Sequence, residues 1–145
     1  MSNASDHLEN NLNDFLLRGQ SFVPPATLHV ALFTAAPSDA GGGTEVTGGS
    51  YARAAVTSSL ANWAGTQSVG STTASTGTGG ATSNNNAITF PAPTANWGAV
   101  THFGIFDAAS GGNLWAWGAL ASTWTINNGN PAPRFDPADL DLVFA

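Results

Sequence analysis

The hydrophobic period of this chain changes once, near residue 24. Before that point Leu8, Leu12, Phe15 and Leu16 recur at the i, i+4, i+7, i+8 spacing that lines one face of a helix. Asp6 stands where an N-cap is wanted, with Glu9 three residues on as its reciprocal partner. Gly19 stands where a left-handed residue closes such a helix. The spacing predicts a helix over residues 6–18. A helix this short is marginal alone, so its apolar stripe must dock on the rest of this chain or on a neighbour.

Beyond Pro24 and Pro25 the period is two. Leu28, Val30 and Leu32 alternate with His29, Ala31 and Phe33, which predicts a strand covered on both faces. Residues 37–49 read as a Gly-rich loop and residues 51–56 as a second short strand. Residues 58–86 are dense in Ser, Thr, Gly and Asn, interrupted by Trp63 and Val69, and read as a long connection. Residues 87–90 make a short strand that stops at Pro91. Residues 99–107 and 113–121 flank a Gly-rich turn and predict an antiparallel hairpin. Residues 124–126 give another strand, closed by Asn127, Asn128 and Gly129, and Leu140, Leu142 and Phe144 give the last. About seven short strands separated by turns predict a mainly β fold, an antiparallel β-sandwich or barrel with an N-terminal helical arm. The expected division is an arm over residues 1–22 and a β-sandwich body over residues 23–145.

Charge sharpens this picture. The chain has three Lys or Arg residues, all of them Arg, and nine Asp or Glu. That is 8% charged, against about a quarter for an average globular protein. A folded monomer of this mass exposes on the order of 7,000 Å², so there is one charge per about 600 Å² if every charge is exposed. Solubility must come from Ser, Thr, Asn and Gly, or a partner must cover part of the surface. A net charge of −6 argues against nucleic acid and against an anionic membrane surface as partners. There is no Cys, hence no disulfide, thiol nucleophile or Cys-ligated metal. Residues 1–20 carry Asp6, Glu9 and Asp14 without a long apolar run, unlike a signal peptide. No stretch has the length of a membrane span. Synthesis in a bacterial cytoplasm is expected.

Catalytic and metal chemistry find little support. His29 and His102 sit inside strand patterns with no carboxylate at ligand spacing, and His7 lies in the helix; they read as structural. Asp136, Asp139 and Asp141 are the one acidic concentration; oxygen ligands there suit Ca²⁺, but the spacing is not that of an EF-hand and matches solvent-facing positions. The glycines at 41–43 and 48–49 lack a following Lys or helix, so they read as turns rather than a phosphate cradle. No Gly-x-Ser-x-Gly occurs. No catalytic residue, cofactor or metal is expected, and the protein is read as a non-enzyme. Of the five Trp residues, Trp115 and Trp117 share one face of one strand. They make a candidate interface, or a platform for sugar rings. Arg53, beside Tyr51, is a candidate for a buried or interfacial ion pair.

The run PATLHVALFTAAP at residues 25–37 and GTEVTGGSYAR at residues 43–53 carry a resemblance, as do ITFP at 88–91, ANWG at 95–98 and VTHFGIFD at 100–107. Together they resemble a family of small phage virion structural proteins commonly named tail fibre proteins, over residues 22–120. The resemblance implies a virion location. Repeats and coiled-coil heptads, the usual means of building a long fibre, are missing from the sequence. The function expected first is therefore a capsid decoration, or cement, protein. It would be anchored through Leu8, Leu12, Phe15 and Leu16, and partnered by copies of itself and by a major capsid or tail protein. The alternatives are a tail-fibre or tail-tip component, and a glycan-binding host-adhesion module.

Overall fold

The computed structural model describes residues 2–144. Ten strands and one helix make a mainly β, antiparallel fold. The central strands are β2 (Thr27–Ala35), β7 (Gly98–Phe106) and β8 (Leu114–Ile126). β1 (Ser2–Ala4) flanks β8, and β3 (Thr44–Glu45) and β4 (Ala54–Thr57) both pair with β2, giving the order β1-β8-β7-β2-β3 with β4 also on β2. The sheet is open, not a closed barrel. Two short ladders lie apart from it: β5 (Ala81–Ser83) with β10 (Asp141–Val143), and β6 (Ile88–Thr89) with β9 (Arg134–Phe135).

The core lies between the sheet and these ladders. Val30 and Leu32 of β2, Val100, Phe103 and Ile105 of β7 and Ala116 of β8 pack with Ile88, Phe90, Phe135, Leu140 and Leu142. Burying side chains of this size is worth about 1.5–3 kcal/mol each. The alternate residues of β2, Ala31 and Phe33, are buried on the other face, as the unbroken apolar run predicts. There the Phe33 and Phe106 rings lie nearly parallel, 6.2 Å between centroids. Gly104 makes room for them: a Cβ at that position would lie 2.9 Å from the Phe33 ring.

The helix α1 (Asp6–Arg18) has the bounds the periodicity predicts and ends on Gly19 at φ +67°. Its cap differs. Ser5, not Asp6, is the N-cap, its hydroxyl accepting from Leu8 N. Ser5 wins because its extended backbone leaves β1, whereas Asp6 already lies in the first helical turn. The strands at 113–121 and 124–126 are one strand, β8, with a register shift against β7 between Val100 and His102. The polar Ser122 and Thr123 lie in that irregular stretch, where pleat alternation lapses. The strand expected from Tyr51 starts at Ala54. The connection over 58–86 ends in β5, and Trp63 bridges to Asn84. Strands β1, β3, β5 and β9 were not expected; with two of the seven expected strands merged into β8, they bring the described strands to ten.

Candidate interaction surface

The arm is sewn into the sheet at its start, leaves its helix exposed, and touches the sheet again through Phe22. Ser2, Asn3 and Ala4 pair antiparallel with Gly118, Trp117 and Ala116 of β8. The buried Ser2 hydroxyl donates to the Val143 carbonyl at 3.0 Å and accepts from Val143 N at 2.7 Å, tying β1 to β10. Ser5 N donates to the Trp115 carbonyl at 3.1 Å and the Ser5 hydroxyl donates to the Leu114 carbonyl. Asp6 N donates to the Asp39 carbonyl at 2.9 Å. From there α1 runs outward with no buried residue.

The four residues expected to anchor the arm divide. Leu8 is half-buried, whereas Leu12, Phe15 and Leu16 are 45%, 49% and 65% exposed. Sequence reasoning missed Leu17 and Val23, at 81% and 80%. Leu17 falls off the periodic stripe and Val23 lies past the helix, so no periodicity marks either. An aromatic row ties the stripe's margin to the sheet: Phe15 to Phe22 (6.1 Å), Phe22 to Trp115 (5.7 Å) and Trp115 to His7 (5.1 Å between centroids). Beside α1 a groove of about 700 Å³ runs between Leu8 and Leu12 on one side and Val143 and Phe144 on the other. Contiguous exposed apolar side chains are one mark of an interaction surface.

Trp115 and Trp117 are in place but not bare. Trp115, the extra residue of a bulge opposite Phe106, lies against His7 and Phe22. Trp117 donates its indole N–H to Asp39 Oδ1 at 3.1 Å. Arg53 is spent within its own chain. Its side chain is 6% exposed. Nε and an Nη bond the two Glu45 oxygens at 2.8 and 2.7 Å, and the other Nη donates to the Ala108 and Gly111 carbonyls at 2.8 Å each. The guanidinium carbon sits 3.7 Å from the Phe106 centroid, a cation–π contact. Tyr51 completes the cluster: its hydroxyl donates to Glu45 Oε1 at 3.0 Å and accepts from Leu32 N at 2.9 Å. Burial, reinforced by the Glu45 charge, pushes the Tyr51 phenol well above its ordinary range.

The remaining candidates are dispersed. His102 Nδ1 bonds Thr101 Oγ1 at 2.8 Å, and His29 lies in β2 with no hydrogen bond to Nδ1. Asp136 pairs with Arg134 at 2.8 Å, Asp139 Oδ2 accepts from Asp136 N at 3.0 Å, and Asp141 is exposed. Among the described residues no three His, Asp or Glu side chains gather as metal ligands, and no helix is long and apolar enough to cross a membrane. What the surface offers is an apolar contact face, Leu12, Phe15, Leu16 and Leu17 with Val23 beyond the helix.

Among proteins of curated function none matches this chain. A family model described as podophage GP4 fiber I protein gp80 matches residues 3–143. The chain belongs to that Gp80 family, whose description is of a phage fibre protein, a component of the virion.

Proposed function

We propose that this member of the Gp80 family is a non-catalytic structural component of a podophage tail fibre, held in place through the exposed apolar face of α1. The family match over residues 3–143 carries the fibre reading. It favours the alternative that the sequence ranked below capsid decoration. The lack of repeats or heptads does not count against it, because a single β domain can serve as one module among others. The exposed Leu12, Phe15, Leu16 and Val23 supply the contact, and with so few charges the binding energy must come from apolar and main-chain groups. The partner is another copy of the chain or a neighbouring tail protein. Glycan adhesion is supported less, since His7 and Phe22 already cover Trp115.

Cryo-electron microscopy of intact particles tests this through position and copy number. Density confined to the tail, at a few or a few dozen copies, is expected. Density repeated over the shell would restore the decoration reading, and absence from the particle would end both. A Leu12→Glu, Leu16→Glu variant should fold normally and fail to incorporate. Full incorporation would remove α1 as the anchor.

A further inference from the structure

The N-terminal segment has the build of an exchangeable arm, and we infer that copies of this chain lend it to one another. Its plug is Ser2–Ser5, seated on β8 by a three-residue register and fixed by Ser2 to Val143 and by Ser5 to Leu114 and Trp115. Both serines are buried, at 5% and 1% exposure. The plug is followed by α1, thirteen residues without a buried side chain, about 20 Å long. Residues 19–25 then return to β2 through Gly19 and two prolines. The plug and the hinge are thus separated by a lever that holds to the body mainly through β1 and β8.

The occupant of the β8 edge is fixed by the structure itself, because the edge is complementary to this chain's own residues 2–5. The same residues of a second copy fit it equally well. Reciprocal exchange keeps every plug contact, re-routes the hinge and gives up the packing of the hinge's Phe22 on Trp115 of its own body. The two arrangements differ at α1. Within one chain, Leu12, Phe15, Leu16 and Leu17 face solvent. In a two-fold exchange both helices span the same gap between two bodies, lie alongside each other and cover those side chains. Exchange is therefore favoured by the apolar surface it removes from water. The intrachain form is favoured by the high effective concentration of a tethered plug. Crowding of copies in an assembly tips the balance to exchange.

The natural chain has no Cys, so introduced thiols report without background. Asn3 and Trp117 stand directly opposite each other. Paired antiparallel Cα atoms lie about 4.5–5.5 Å apart, within the ~4.4–6.8 Å that a disulfide spans. The full chain carrying N3C and W117C is oxidised with dissolved oxygen at rising protein concentration, run without reductant, and its bridges are mapped by peptide mass. Bridged dimers linked 3-to-117, increasing with concentration, are expected. Separately made N3C and W117C chains, unfolded together and refolded, should give the same 3-to-117 bridge between chains. A bridge found only within monomers at every concentration, with none between the mixed chains, overturns the proposal. Should loss of the Trp117 indole impair folding, A4C with A116C reads the same register. The outcome is independent of the fibre reading: absence from the tail would end that reading and leave the bridge pattern as it is.

Discussion

The Arg53 guanidinium makes four hydrogen bonds inside its own chain, two to Glu45 and two to the turn after β7. These contacts join the β3 edge, the lead-in to β4 and the 108–111 turn. Breaking a buried pair leaves the remaining charge desolvated and unpaired. Arg53→Met should cost about 3 kcal/mol by chemical denaturation, the low end of the usual range because Glu45 is 25% exposed. Arg53→Lys should lose less, keeping the charge without the two-pronged geometry. Equal losses would show that packing on Phe106, not the pair, holds the segment. Tyr51 reports on the same cluster and is the sole tyrosine, so its phenolate absorbance is unambiguous. Its folded pKa is raised, so the stability it contributes is fully present below the unfolded value of about 10 and is lost as pH rises through the folded value. The phenolate band should emerge only well above pH 10, as the protein unfolds. Emergence at an ordinary phenol pKa in the folded protein would mean the hydroxyl is solvated.

At the scale of elements, α1 separates a folding role from a docking role. The Ser5 hydroxyl both caps α1 and bonds the Leu114 carbonyl. Ser5→Ala should therefore cost about 1–2 kcal/mol, read as a lowered denaturation midpoint. A negligible change would mean that β1 alone seats the arm. The helix, its Gly19 end and the central hairpin were legible because each spans enough residues for its period to repeat. β1, β3, β5 and β9 were not: each has two or three residues and, unlike β6 and β10, lies in no longer apolar run that would mark it. The break read into β8 came from Ser122 and Thr123, polar residues at a register shift that alternation alone cannot distinguish from a turn. Of the candidate surface, the stripe was legible in Leu12, Phe15 and Leu16. The partial burial of Leu8 and the service of Trp115 as a floor for His7 and Phe22 depend on how α1 leaves β1, which no local pattern encodes. The Arg53–Glu45 pair was legible only as an Arg in need of a partner.

At the scale of the whole molecule, the arm's first residues are a strand of the body's sheet. Deleting residues 1–22 removes an edge strand and uncaps the β8 edge and Val143, so a truncated chain should lose stability together with incorporation. The paired Leu12→Glu and Leu16→Glu changes, at positions 45% and 65% exposed, separate the two. Surface substitutions of that kind usually shift stability by no more than about 0.5 kcal/mol. The sparse charge makes a further distinction. An association held by ion pairs weakens as the screening length shrinks from about 10 Å at 0.1 M salt to about 3 Å at 1 M. One held by Leu12, Phe15, Leu16 and Val23 does not, and sulfate strengthens it by exclusion from apolar surface. Sedimentation of the full chain at both ionic strengths should show self-association unchanged by sodium chloride and enhanced by sodium sulfate. Dissociation at high salt would assign the contact to the few charged residues and take it away from α1.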